Sequence, residues 1–251
     1  EAIKQKRLKI QLSAKKNFFA SMKGADSIIT IYMFTDLEPK YFSAKNGPHA
    51  FYTPKLDGIS SVSIETIKES ERFTRDKKAL FEYIKLNLSV NTLEISIPSL
   101  RNPNLSPEGK SALIVSTLFD YALCEHLVEC GYYDEFKTLA SDEMVRILDE
   151  GLWNGLSRHI DMTIVSTPKT IYDRTYATQG SVTGWSFENH PFPVGYKFLS
   201  VSKAVHTPIR SIKQAGQFTF NPAGVPVAVL TGKLAADAIH KDLLKENKHD
   251  K

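Results

Sequence analysis

The stretch Ala215–Ile239, AGQFTFNPAGVPVAVLTGKLAADAI, decides how the rest of the sequence is read. Apolar or small residues fall at Val225, Ala228, Val229, Gly232, Ala235, Ala236 and Ile239. That i, i+3, i+4, i+7 series predicts a helix beginning near Gly224–Val225. Pro226 suits the first turn, where a missing N–H is no loss. Ahead of the helix, Gly216–Phe220 reads as the end of a strand and Asn221-Pro222-Ala223-Gly224 as a turn. A strand, a glycine-bearing turn and a helix N-terminus aim free N–H groups and the positive dipole end at something electron-rich. A phosphate or the edge of a flavin ring would suit. The same pattern also describes a plain connection that holds no ligand.

Outward from this stretch, Ser27–Phe34 (SIITIYMF) is β-branched and aromatic, and reads as a buried strand. Leu93–Pro98, Ala112–Thr117 and Met162–Val165 are further strands, and Asp134–Leu152 has the apolar spacing of a helix. Residues Glu1–Lys23 read as a basic helix or extended connector, Ser60–Glu82 as a solvated helix face, and Thr167-Pro168 as a break. This order predicts an α/β or α+β fold with a mixed sheet, its first half paired antiparallel. Eight of the 13 glycines lie between Gly151 and Gly232, in turns such as GSVTGW and NHPFPVGY. Such turns ask for positive φ or close backbone approach.

The 251 residues, 42% hydrophobic and 24% charged, exclude disordered and fibrous classes. The net charge of +4 is too small an excess to point to nucleic acid. Cys124 and Cys130 form no disulfide framework. With His126 between them they lack the second ligand pair of a zinc site, so reduced thiols and no metal are expected. No signal-peptide pattern opens the chain, and the uncharged window Gln214–Gly232 is interrupted by Asn221, Pro222 and Pro226. A cytoplasmic protein is expected, and the basic stretch Lys4–Lys16 hints at membrane-surface contact.

The closing stretch resembles the C-terminal FAD-contacting motif of the phytoene desaturase, carotenoid isomerase and retinol saturase family. The residues that carry it are Gly216-Gln217, Pro222-Ala223-Gly224-Val225-Pro226 and Thr231-Gly232-Lys233-Leu234-Ala235-Ala236. Upstream, Asn102–Lys110 resembles the family's D-P-x-x-A-P-x-G loop. Thr167-Pro168 with Gly180-Ser181-Val182-Thr183-Gly184 resembles its T-P…G-S-x-x-G stretch. Asn102, Ala223 and Thr231 are mild departures, where an acid, a glycine and a serine are usual.

The resemblance implies an FAD-dependent oxidoreductase acting on carbon–carbon bonds of an apolar, isoprenoid-like substrate. It implies cofactor contacts at Gly216, Gln217, Gly224, Val225 and Pro226, with Gln217 on the ribityl chain and the N–H groups at Gly224 and Val225 on the flavin. It implies substrate contacts at Gly184, Trp185 and Phe187. Redox chemistry resides in the flavin, so no catalytic side chain is expected. His159, His190 and His206 read as surface or loop residues, and Arg174 as an ion-pair partner.

The family's N-terminal G-x-G-x-x-G is missing: no two glycines here are separated by a single residue. Together with a start at Glu1 rather than Met, this leads us to expect the C-terminal part of a longer enzyme. Residues 1–210 would form the substrate-binding region, and 211–251 the last strand-turn-helix piece of a two-domain, Rossmann-like FAD-binding fold. An N-terminal FAD-binding part would complete the site, and the isolated chain would bind FAD weakly or not at all. The alternatives are a non-enzymatic lipid- or protein-binding module, and a subunit that completes FAD binding with a partner chain.

Overall fold

A computed structural model describes residues 2–221 and 223–249, with side chains placed for 5–221 and 223–245. The chain divides into two compact units. One is Ser27–Tyr176; the other joins Glu1–Asp26 to Ala177–Lys251.

The unit 27–176 is built on a five-stranded antiparallel sheet in the order β2-β5-β6-β1-β7. Its strands are β1 (Ile28–Thr35), β2 (His49–Tyr52), β5 (Leu93–Ser96), β6 (Ser111–Leu118) and β7 (Ile160–Ser166). In β1 the residues Ile29, Ile31 and Met33 alternate inward and are fully buried, as are Leu113 and Val115 of β6. Against this face pack α3 (Lys77–Val90), α4 (Tyr121–Glu129) and α5 (Tyr133–Gly151), through Leu80, Ile84, Leu123, Phe136 and Met144. Aspartates start two of these helices. Asp76 accepts from Lys78 N, and Asp120 from Leu123 N. Mixed α and β elements agree with the expected α+β class, but the sheet is antiparallel at every strand pair rather than mixed.

One local reading needs correction. Only the end of the charged run Ser60–Glu82 is helical. It holds 3₁₀ turns at Ile59–Ser61 and Ile64–Ile67, then the two-residue hairpin β3 (Lys68–Glu69) and β4 (Arg72–Phe73). Its apolar residues Val62, Ile64, Ile67 and Phe73 face the core at spacings no single helix can serve. Thr167-Pro168 does interrupt the chain after β7, and the break is a helix start: Thr167 caps α6 (Pro168–Thr175) with reciprocal bonds to Thr170, and Pro168 holds the first helical position. The helix α4 and the short α2 (Pro39–Ser43) complete this unit.

The second unit carries α1 (Ala2–Ala20), α7 (Val201–Ala204) and α8 (Val225–His249), so the basic N-terminal stretch is a helix. A backbone clasp joins its two chain segments. Gly24 bridges Trp185, Ala25 N donates to Gly184 O at 2.8 Å, and Val182 N donates to Asp26 O at 3.1 Å. The Asn189 side chain accepts from Lys23 N and donates to Lys23 O, both at 2.8 Å. The expected strand at Gly216–Phe220 is absent. Thr219 N donates to Gly216 O in a turn, and Phe220 makes a single bridge with Gly195. Thr219 and Phe220 are both buried in this turn. The helix does begin at Val225, so the C-terminal piece is turn-turn-helix rather than strand-turn-helix.

Candidate functional site

Two surfaces carry the chemistry, one in each unit. In 27–176 the helices cover one face of the sheet, and the other face is open and apolar. Register places Tyr32 between Ile114 and Ile164, and Phe34 between Ala112 and Met162. Met162 and Ile164 are 52% and 50% exposed, and Tyr32, Phe34 and Leu118 are exposed as well. An antiparallel sheet normally turns polar side chains to water on its second face. The exposed apolar side chains Tyr32, Phe34, Met162 and Ile164 form a candidate binding surface, and the Thr30–Ser116 pair separates them from Leu118.

Polar groups border this face. Thr30 and Ser116 share a hydrogen bond of 2.8 Å, and His49 meets Glu94 at 2.8 Å. At the other end His159 Nδ1 lies 2.8 Å from Asp36 Oδ1, and Lys110 pairs with Asp161 at 2.7 Å. His159 is a surface residue, as expected, and the half-exposed partner of a carboxylate. The sequence reading took SIITIYMF as wholly buried and so missed Tyr32 and Phe34. An unbroken apolar run of this kind gives no signal of which face is left uncovered.

In the other unit the two glycine-rich stretches singled out from the sequence meet. Gly184, at φ +84°, lies so close to Gln217 that a Cβ would stand 2.4 Å from its carbonyl oxygen. Gln217 Nε2 donates to Ser181 O at 3.2 Å, and Trp185 Nε1 donates to Phe218 O at 3.1 Å. Trp185 is 6% exposed, stacked on Phe19 and edge-on to Phe218, so its ring is taken up in packing. Phe187 is exposed and pairs with Phe192.

The turn before α8 is held from behind by Thr231. Its buried hydroxyl accepts from Gly216 N at 3.0 Å and lies 2.9 Å and 3.0 Å from the carbonyls of Val227 and Ala228. Gly216 (φ +99°) and Gly224 (φ +119°) both adopt the left-handed region. A Cβ at Gly216 would meet nothing within 4 Å, and one at Gly224 only Pro226 Cδ at 3.9 Å. Their Cα faces are thus open to a flat ligand. Beside them stands the exposed first turn of α8, with Val225 and Pro226, at the end of a helix where backbone N–H groups have no intrahelical acceptor. These features fit a flavin: an approach without side chains, and donors for electron-rich ring atoms. Pro222 lies outside the described residues.

Further along α8, Asp242 holds Lys213 Nζ at 2.7 Å, with the Lys213 side chain 3% exposed. That hydrogen bond and charge keep the Asp242 carboxyl below the usual carboxylate range. Cys124 and Cys130 are free thiols. Burial pushes Cys124 up, and Cys130 Sγ sits 3.4 Å from His126 Nε2. Among the described residues no group of three His, Cys, Asp or Glu side chains comes together as a metal site. No described helix is long and apolar enough to cross a membrane.

No family model matches the chain. Individual proteins do. Prolycopene isomerase 2, chloroplastic, of an Oncidium hybrid cultivar is 28% identical over 164 residues, which cover 65% of this chain and 27% of the relative. Prolycopene isomerase, chloroplastic, of Daucus carota is 27% identical over 168 residues, 66% of this chain and 26% of the relative. Phytoene desaturase of Fusarium fujikuroi is 24% identical over 163 residues, 59% of this chain and 28% of the relative. The matched region spans about a quarter of the length of these curated relatives. Over about two-thirds of its length, then, the chain is a distant homologue of the carotenoid isomerases and desaturases.

Proposed function

We propose that this chain supplies the substrate-binding region and the closing flavin-contacting turn of an FAD-dependent oxidoreductase acting on carbon–carbon bonds of an apolar, isoprenoid-like substrate. The observation that carries the reading is the open apolar face of the sheet, with Tyr32, Phe34, Leu118, Met162 and Ile164 presented to solvent. A long hydrocarbon laid across it removes both partners from water and needs no polar recognition along its length. The hydroxyls of Thr30 and Ser116 and the Asp36–His159 pair border the face, and would fix how far such a substrate slides.

In this reading the turns at Gly184–Trp185 and Gly216–Gly224 form one edge of the flavin site. The left-handed glycines keep the approach clear, and the first-turn N–H groups of α8 stabilise negative charge facing them. FAD, when bound, supplies the hydride acceptor. Thr231 holds the turn in place, acting through Gly216 rather than on a ligand. The main dinucleotide cradle would come from sequence upstream of Glu1, or from a partner chain.

The test is to sequence the transcript upstream of Glu1 and to purify the natural polypeptide that contains this chain. The expected result is a G-x-G-x-x-G coding region and a yellow protein with stoichiometric flavin that alters double bonds of a polyene substrate. A colourless full-length protein that binds no FAD, alone or with any partner encoded beside it, overturns the reading.

A further inference from the structure

β7 (Ile160–Ser166) lies at the edge of the sheet, and among the described residues no strand pairs with its free side. Every second N–H and C=O of such a strand points away from the sheet. Natural edges are shielded by charges, prolines or bulges. β7 has such protection at one end only. Phe34 pairs with Met162 and Thr35 with Ile160, which leaves Asp161 as the extra residue of a bulge. Asp161 is also tied to Lys110 at 2.7 Å. From Met162 to Ser166 the run MTIVS has no charge, no proline and no register shift. Its centre, Thr163, Ile164 and Val165, is β-branched, as suits strand pairing.

A groove runs along this edge, between β7 and α5. It consists of two adjoining hollows of about 570 and 490 Å³ that share Ser141, Asp142 and Thr163. Its helical wall is acidic. Six residues of α5 are Asp or Glu, against Lys137 and Arg146 alone. Both cations are already paired, Lys137 with Asp134 at 2.8 Å and Arg146 with Glu143 and Glu150. The Ser157 hydroxyl, with the Gly155 N–H, holds the Asp149 carboxyl below the usual carboxylate range. Asp142 is exposed and makes no ion pair among the described residues.

The two sides of the edge call for different side chains. Thr163 and Val165 share the helix-covered side with Met33 and Ile31, whereas Met162 and Ile164 share the open side with Phe34 and Tyr32. A strand laid beside β7 alternates in the same way. One set of its residues meets the acidic wall, and the other lies beside Met162 and Ile164. We infer that the free edge of β7 accepts an extended segment of another polypeptide in which lysine or arginine alternates with apolar residues. Backbone hydrogen bonds supply the pairing, and the alternate side chains supply the selectivity. A second copy of this chain suits the edge less well, because pairing β7 with itself brings two acidic walls together. Neither a flavin nor a hydrocarbon substrate enters the inference, so it stands or falls apart from the proposed function.

The test is fluorescence anisotropy of the 251-residue chain with the labelled peptide Lys-Val-Lys-Thr-Lys-Val-Lys, joined to amide hydrogen exchange. Saturable binding is expected, weakening with added salt, and the amides of 162–166 should exchange more slowly in the complex. Two further peptides are N-methylated, one on its lysines and one on the residues between them. At least one of these should bind at least about tenfold more weakly, because it cannot donate to β7. The analogue with glutamate for lysine should not bind. Asp142→Lys should weaken binding at least about threefold, with circular dichroism unchanged because the side chain is exposed. No binding by the parent peptide, equal binding by both N-methylated forms, or unchanged binding by Asp142→Lys overturns the inference. So does equal binding of a peptide with the same residues and its lysines in one block, which would make charge alone responsible. Protection of 162–166 in a dimer of the chain alone would assign the edge to a second copy. Protection of the same amides in the natural polypeptide, without peptide, would assign it to that polypeptide's own sequence. Either result also overturns the inference.

Discussion

Gly184 packs its Cα directly onto the carbonyl of Gln217, leaving no room for a side chain between the two glycine-rich turns. Gly184→Ala should therefore be more damaging than Gly216→Ala. Each forces a left-handed conformation on a residue with a Cβ, about 1–3 kcal/mol. Only the first also drives that Cβ into backbone. Urea denaturation of both variants checks the order, and equal losses would contradict it.

Thr231 tests how the turn is held. Thr231→Val keeps the shape but leaves Gly216 N without its acceptor, a loss of about 1–3 kcal/mol. Thr231→Ser keeps the hydroxyl and should stay within about 1 kcal/mol of the parent. If valine and serine are equally stable, the bond contributes nothing.

The two faces of the sheet should respond oppositely to truncation. Ile31→Ala, on the fully buried side, is expected to cost about 2–5 kcal/mol. Ile164→Ala, on the open side, should cost less than about 1 kcal/mol. The open-face variant should instead lower the affinity for an apolar fluorescent probe, measured by titration.

Acid should weaken the contact between α8 and Lys213. Asp242 has a lowered pKa in the folded chain, so its contribution is present above the unfolded carboxylate pKa and is lost as pH falls through the folded value. Asp242→Asn should lower the melting temperature at neutral pH. The gap between the two proteins should close as pH falls below the ordinary carboxylate range and through the lowered folded value. A gap that stays constant with pH would show that charge is not its source.

Thiol labelling separates the two cysteines. Cys124 is fully buried and burial raises its pKa, so it should stay unmodified in the native chain, while half-buried Cys130 reacts. Both should label after denaturation, as mass spectrometry of the alkylated protein would show.

Most strands were legible because β-branched runs such as Ile28–Phe34 and Ala112–Thr117 have no other stable use, and α5 was legible from its 3.6-residue spacing. The run Ser60–Glu82 was misread because its shape is set by where Ile67 and Phe73 find the core, a tertiary demand that local charge does not encode. The missing strand at Gly216–Phe220 has a similar origin: the close approach of Gly184 and the bond from Thr231 bend that segment into a turn. The glycines announced positive φ and close backbone approach, as Gly184, Gly216 and Gly224 show, but not which turns meet. The open sheet face stayed hidden because a buried strand and a strand with one uncovered apolar face have the same sequence.

The clasp at Gly24–Asp26 and Val182–Asn189 makes the block between them an insert in the topological sense: the chain leaves and re-enters its host at adjacent points. An insert bounded in this way can lengthen, shorten or exchange its surface without rethreading the host. The unit that holds the glycine turns and the unit that holds the open sheet are therefore free to diverge at different rates.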